Sequence, residues 1–417
     1  MHILLAHNRY QRPGGEDVVF EAEAALLRAH GQQVSRYVED NSEIGYANRP
    51  AVAIGTIWSR RAASRLRRLL HEVKPDLVHF HNTFPLISPA AYVTCRRAGV
   101  PVVQTLHNYR LICPGALLFR DGHPCEDCLP RVGAAWPGVL HACYRNSRPQ
   151  TAVVAAMLAV HRLRQTWTRD VSIYIALTDF ARGKFIAGGL PAAKIVVKPN
   201  FVAPDPGMEP AEKGYFLFVG RLSPEKGVET LLRAWTRETI RVPLRIVGSG
   251  PLEAQVRAAA AGSPFISYLG QLERAAVFQQ MRSAHALVFP SEWYEALPVT
   301  LLEAFACGLP VIAADRGAAG EIVRQGQTGL LFPAGDDQAL EALVSWAGHN
   351  PGALRSMGLA ARQEYEAKYS ADSNYDQLLR IYRFALQGGA ARGAGPASDD
   401  LPVRTEGAGR DPGAEQA

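Results

Sequence analysis

One pattern, written twice along the chain, decides what this sequence can fold into. Short apolar runs flanked by glycine, proline or polar residues alternate with helix-length amphipathic stretches. In the first half the strand-like runs are 3–6, 77–81, 102–106 and 172–177, with helical patterns over 16–30 and 59–73. Glu16 and Asp17 open the first of these helices, where acidic side chains suit the free backbone N–H groups. After Pro204-Asp205-Pro206-Gly207 the pattern restarts, with strand-like runs at 215–219, 244–247, 265–269, 286–289 and 311–313. Strand, helix and strand in repetition predict parallel sheets covered by helices on both faces. At 417 residues the chain exceeds what one core ordinarily serves. Two doubly wound α/β domains are expected, 1–203 and 204–369, with 370–387 packing back on the first. Ligands of such sheets bind beyond the carboxyl ends of the strands. Residues 388–417 offer almost nothing to bury and are expected to be a disordered tail.

A hydrophobic share of 47% and a charged share of 20% fit a globular protein. The longest apolar run, 152–160, is nine residues, too short to span a bilayer. The opening residues run straight into a strand pattern without a basic flank or cleavage site, so a cytoplasmic location is expected. The net charge of +6 conceals an asymmetry, for residues 1–200 hold 25 Lys and Arg against 14 Asp and Glu. A basic half suits an anionic partner, either nucleic acid or an anionic membrane surface on which the protein would be peripheral. No nucleic-acid recognition motif is present. The stretch Trp58-Ser-Arg-Arg-Ala-Ala-Ser-Arg-Leu-Arg-Arg-Leu-Leu70 reads as a basic amphipathic helix, either an ordinary sheet cover or a lipid-attachment surface.

Five motifs fall where strands end. The longest is Pro290-Ser-Glu-Trp-Tyr-Glu-Ala-Leu-Pro-Val-Thr-Leu-Leu-Glu-Ala-Phe-Ala-Cys-Gly-Leu-Pro310, which follows a strand and opens a helix near Pro298. Free N–H groups of the first turn, including those of Leu297 and Val299, form a ready phosphate site. Glu295 precedes this helix and Glu303 lies within it, so the two carboxylates can address different parts of one extended ligand. Each suits the vicinal hydroxyls of a sugar. In Phe218-Val-Gly-Arg-Leu-Ser-Pro-Glu-Lys-Gly227, Arg221 and Lys226 suit a diphosphate, the first as a bidentate fork and the second as a point charge. Gly248 and Gly250, in Val247-Gly-Ser-Gly-Pro251, would let a nucleoside lie close, as would Gly220 at the end of its strand. Gly14 and Gly15, in Arg12-Pro-Gly-Gly-Glu-Asp17, allow close backbone approach but are no dinucleotide fingerprint, which argues against a dehydrogenase. His107 stands where another strand ends, in Thr105-Leu-His-Asn-Tyr109.

Together these motifs resemble the family-4 retaining glycosyltransferases of the GT-B fold, the bacterial glycosyltransferase group 1, over about residues 1–387. The resemblance implies two facing Rossmann-like domains with a ligand cleft between them. It implies a UDP- or GDP-sugar donor and transfer of a hexose-type sugar to a lipid-linked or cell-surface glycan acceptor. Glu303 would bind the nucleotide ribose, and Glu295 and His107 would lie at the donor sugar. Arg221 and Lys226 would neutralise the leaving diphosphate. Gly14 and Gly15 would lie on the acceptor side. No Asp-x-Asp occurs anywhere in the chain, so a reaction without a catalytic metal is expected, the two cations standing in its place. A sugar-nucleotide epimerase of the same fold, or an inactive sugar-nucleotide-binding module, are the alternatives.

Cysteine usage departs from the simple pattern. Cys113, Cys125, Cys128 and Cys143 have the ligand count of a structural zinc site, with irregular spacing. They are equally readable as four free thiols. A subset of the resembling enzymes carries a similar cysteine-bearing insertion, which would overhang the acceptor side.

Overall fold

The computed structural model describes residues 1–11, 14–44, 49–129, 135–209, 214–237 and 241–388; the expected tail, from residue 389, lies outside them. The first sheet begins with β1 (His2–Arg9), β2 (Gln33–Asp40), β3 (Leu77–Asn82) and β4 (Val102–Leu106). The chain then makes an excursion containing an antiparallel hairpin, β5 (Phe119–Arg120) and β6 (His123–Pro124). It returns to complete the sheet with β7 (Ile173–Ala176) and β8 (Ile195–Val197). The second sheet is built from β9 (Tyr215–Val219), β10 (Leu244–Val247), β11 (Ile266–Gly270), β12 (Ala284–Phe289), β13 (Val311–Ala314) and β14 (Gly329–Phe332). Both sheets are parallel throughout.

Strand orders are β2-β1-β3-β4-β7-β8 and β11-β10-β9-β12-β13-β14. Each order reverses direction once, between β1 and β3 in the first sheet and between β9 and β12 in the second. Such reversals open a crevice at the carboxyl ends of the two strands involved. Both faces of the sheets are buried, as the two-residue period of a strand requires. Along β1, Leu4 and Ala6 join one core with Val78 and Phe80, while Ile3 and Leu5 join another with Phe20 and Leu77.

The helix Ala371–Leu386 closes that second core with Leu378, Ile381, Tyr382 and Ala385, so the end of the described chain packs on the first sheet. The helix before it, Pro351–Lys368, packs instead on the second domain, where Ala361 and Tyr365 share a core with Leu301 and Phe305. The chain therefore crosses between the sheets near 198–204 and again near 369–370, and the Val202 N–H donates to the Tyr369 carbonyl at 3.1 Å.

The basic helix runs over Arg60–Val73, with Ser59 accepting from the Ala62 N–H at 3.2 Å as its cap. Ala62, Leu66 and Leu70 enter the first core, which is the work of a sheet cover. Arg60, Arg61, Arg67 and Arg68 remain exposed on its outer face. No helix among the described residues is long and apolar enough to cross a membrane.

Candidate active site

The loops leaving β9 and β12 meet at the reversal of the second sheet. Gly227 makes that meeting possible. Its φ is +68°, and a Cβ there would stand 1.9 Å from the Pro290 carbonyl oxygen. Beside this contact the Glu292 N–H donates to the Glu225 carbonyl at 2.9 Å. The approach brings Lys226 against Glu295 as an ion pair. The same Glu295 oxygen accepts from Ser291 Oγ at 2.9 Å and from Trp293 Nε1 at 2.8 Å. Lys226 Nζ also lies 5.4 Å from the centre of the Trp293 ring. Arg221, on the same loop, is exposed, with no ion-pair partner among the described residues.

The helix Val299–Ala306 starts immediately beyond, with Pro298 as its N-cap residue and Leu297 buried behind it. Glu303, one turn in, accepts from Arg274 Nε at 3.0 Å. Burial raises the Glu303 carboxyl above the usual range and Arg274 works against that rise. Arg274 is fixed from its other side by the Ala203 carbonyl at 2.8 Å.

Gly248 and Gly250, beyond the end of β10, pack against the loop that leaves β9. A Cβ at Gly248 would stand 1.9 Å from the Gly220 carbonyl oxygen, and one at Gly250 would stand 2.4 Å from that of Leu222. The close approach they allow is to the protein's own Gly220–Leu222 backbone. That packing fixes the loop carrying Arg221.

At the reversal of the first sheet, Gly14 caps the helix Gly15–Ala29, and its N–H donates to Asp17 Oδ2 at 2.7 Å. Asp17 Oδ1 in turn meets His7 Nε2 at 2.8 Å. A Cβ at Gly15 would lie 3.8 Å from Val299 Cγ2, so the glycine loop faces the start of the second domain's helix at van der Waals distance. Further contacts hold the domains together nearby. Thr178 Oγ1 donates to the Ala296 carbonyl at 3.2 Å, and the N–H groups of Asp179 and Phe180 donate to Glu321 at 3.0 and 2.7 Å.

His107 follows β4 and is partly open. Its Nε2 lies 3.0 Å from His81 Nδ1. Burial, reinforced by the neighbouring His81, pushes its pKa well below the usual histidine value. Adjacent Asn108 donates through Nδ2 to Glu16 Oε2 at 3.3 Å. Burial raises the Glu16 carboxyl to about 7. Its other oxygen, Oε1, is buried without a hydrogen-bond partner. A perturbed, half-satisfied carboxyl beside a cleft is a mark of functional sites.

Cys113, Cys125, Cys128 and Cys143 all lie in the β5–β6 excursion, and none forms a disulfide. Burial raises the Cys128 thiol to about 11, with the other three thiols adding to the shift. Gly115 packs among them, where a Cβ would be 3.8 Å from Cys113 Sγ and 3.5 Å from Cys143 Cβ. Yet the group of His, Cys, Asp or Glu side chains whose ligand atoms lie within 4.8 Å of one another, among the described residues, is Glu23, His79 and His81. The four thiols interact with one another in the same excursion, which suits either of the two readings of their ligand count. Lys184 Nζ, 2.6 Å from Glu126, ties the excursion to the helix Asp179–Ala187.

Comparison with known proteins agrees with this architecture. The "Glycosyl transferase 4-like domain" family matches residues 14–200, and the "Glycosyl transferases group 1" family matches residues 204–364. A GDP-mannose-dependent alpha-mannosyltransferase of Mycolicibacterium smegmatis is 32% identical over 306 residues, 73% of this chain and 72% of the relative. The chain belongs to the group 1 glycosyltransferases. A phosphatidyl-myo-inositol mannosyltransferase of Mycobacterium leprae is 29% identical over 403 residues, 91% of this chain and 95% of the relative. Among solved GT-B structures, Anabaena HepE in complex with UDP superposes with a TM-score of 0.65 at 18% identity, covering 92% of this chain and 100% of HepE. Sucrose-phosphate synthase from Thermosynechococcus elongatus gives 0.67 at 17% identity, covering 94% and 100%.

Within this glycosyltransferase the fold brings Lys226, Glu295 and the Pro298 helix start together on one wall, with Arg221 exposed on the loop that carries Lys226. Gly14, Gly15 and His107 stand on the other. Glu16, Asn108, Arg274 and the buried pair His81 and Glu23 also border these groups, though the motifs assigned them no role. Asn108 and Glu16 were inside quoted motifs. Arg274 carries no local signal, being 29 positions ahead of its partner.

Proposed function

We propose that this glycosyltransferase moves a hexose-type sugar from a UDP- or GDP-sugar to a lipid-linked or cell-surface glycan precursor, with retention of anomeric configuration and without a catalytic metal. The observation that carries this reading is the meeting of Lys226 with Glu295 beside the helix start at Pro298, with Arg221 on the same loop, opposite the Gly14-Gly15 loop. Donor chemistry draws support from the GDP-mannose-dependent relative and the UDP-bound neighbour. A peripheral position on an anionic membrane draws on the outward Arg60, Arg61, Arg67 and Arg68.

In this mechanism the bond from the sugar C1 to the diphosphate oxygen lengthens first, and its electron pair goes to the departing nucleotide diphosphate. Arg221, Lys226 and the free N–H groups at the helix start stabilise the charge that builds there. The acceptor hydroxyl oxygen attacks C1 from the face the diphosphate is leaving. Its proton passes to a diphosphate oxygen, so no protein base is consumed. Glu303 accepts from the ribose hydroxyls, with Arg274 beside it limiting the cost of the buried charge. Closure of the cleft excludes water that would otherwise hydrolyse the donor.

Turnover of UDP- and GDP-hexoses labelled in the sugar, measured in excess EDTA, tests this reading. Release of label from the nucleotide should continue, unaffected by added magnesium. Loss of turnover by a still-folded protein, restored by magnesium, would put a metal in the mechanism. Loss of turnover together with the folded state would point to the cysteine excursion instead.

A further inference from the structure

Behind His107, inside the first domain, lies a charge cluster that the proposed mechanism leaves unused. Glu23 comes from the helix Gly15–Ala29, His79 and His81 from one face of β3, and Lys198 from just beyond β8. Their side chains are at most 1% exposed. Glu23 Oε1 lies 2.9 Å from His79 Nδ1 and 3.2 Å from His81 Nε2, and Oε2 lies 3.6 Å from Lys198 Nζ. His79 is held further by Tyr382 Oη at 2.7 Å and Thr105 Oγ1 at 2.8 Å. The Lys198 ammonium and the Glu23 carboxylate already balance, and burial holds the His81 imidazole uncharged between them and His107.

Hydrogen placement follows from that balance. Burial alone would raise the Glu23 carboxyl, but His79, His81 and Lys198 together hold it well below its usual value. An ionised carboxylate only accepts, so the hydrogen of His81 must be on Nε2. Burial lowers His81 to about 4, which leaves its Nδ1 bare. That lone pair faces His107 Nε2 at 3.0 Å. Two lone pairs cannot share such a contact, so His107 must carry its hydrogen on Nε2. The other nitrogen, Nδ1, has no protein partner among the described residues.

We propose that Glu23, acting through His81, is a positioning residue that fixes His107 in the Nε2–H tautomer, leaving Nδ1 as a pure acceptor for one hydroxyl of the donor sugar. The proposal rests on the reading of His107 as a donor-sugar contact and gives that contact a direction. The site then requires a free hydroxyl at one position of the ring, and a deoxy or O-substituted sugar there leaves a polar nitrogen unpaired. Sites of that kind discriminate strongly against analogues lacking the group. Second-sphere control of a histidine's tautomer by a carboxylate is a general device.

Two-bond 1H–15N correlation on protein labelled at histidine, with His107→Gln to identify the signal, reads the tautomer without any need for turnover. The result expected for His107 is a protonated Nε2 and a bare Nδ1. An Nδ1–H tautomer, or an imidazolium at His81 or His107, would overturn the relay. Glu23→Gln can donate to His81 Nε2 and so reverse the chain of hydrogens. If folded, it should show His107 with Nδ1–H and lose at least about tenfold in kcat/KM while binding free UDP or GDP as the wild type does. A folded Glu23→Gln with an unchanged tautomer would remove Glu23 from the relay. A set of singly deoxygenated donors should include one that loses on the order of a hundredfold or more in kcat/KM. A correct tautomer with no deoxy donor impaired would overturn the acceptor role and the sugar contact beneath it, leaving only a structural relay.

Discussion

Replacing Arg221 or Lys226 by alanine should lower kcat on the order of a hundredfold, and more than it raises the donor KM. In the proposed mechanism both cations matter most when charge has built on the departing diphosphate, so their loss should fall chiefly on the transition state. The two variants should differ in stability. Arg221 is exposed and without an ion-pair partner among the described residues, so its removal should leave the melting temperature unchanged. Lys226 neutralises Glu295, whose side chain is only 8% exposed. Lys226→Ala strands that carboxylate and should lower the melting temperature as well as kcat. Arg221→Lys should fail nearly as badly as alanine, because an ammonium cannot reproduce a bidentate fork. Steady-state kinetics beside thermal melts check all three. A folded double variant with wild-type kcat would make this loop an ordinary solvated one.

Gly227→Ala should cost on the order of 3 kcal/mol or more, from a strained left-handed conformation and a collision with backbone. The residue sits at φ +68°, and the added carbon would meet the Pro290 carbonyl oxygen at 1.9 Å. Neither loop can move away without separating Lys226 from Glu295, so activity and stability should fall together. A drop in melting temperature of roughly 10 °C is the expected size. Gly183→Ala is the matched control. It lies within the helix Asp179–Ala187 with nothing within 4 Å of the added carbon, and should be neutral or slightly stabilising. Equal melting temperatures for the two variants would contradict the packing described for the β9 and β12 loops.

Those two loops also mark where sequence reading succeeds and where it stops. Among strands buried on both faces, β7 stands out as the apolar run Ile-Tyr-Ile-Ala, while β3 and β4 are marked by Leu77, Val78 and Phe80 and by Val102, Val103 and Leu106 despite the polar residues between them. The edge strands β2, β8 and β14 do not. In β2 only Tyr37 and Glu39 are buried, so Gln33–Asp40 reads as a polar linker, and β8 and β14 are three and four residues long. The motifs holding Arg221, Lys226, Glu295 and Glu303 were legible because they are compact, whereas the Arg274 contact of Glu303 is made by folding across 29 positions and the Glu23–His81 contact across 58. The His79-x-His81 spacing inside a buried strand was the one available hint of that cluster. Gly248 and Gly250 were visible, but their sequence does not say that their bare backbone makes room for the chain itself at Gly220 and Leu222.

Retaining transfer from a sugar nucleotide is read from the anomeric proton of the product. Following UDP- and GDP-hexoses by proton NMR, with a polyprenyl or glycolipid acceptor present, separates transfer, hydrolysis and epimerisation in one spectrum. The expected result is a new anomeric signal with the configuration of the donor, rising as free nucleotide diphosphate rises. An inverted anomeric signal, or a new sugar-nucleotide epimer without free nucleotide diphosphate, would contradict it.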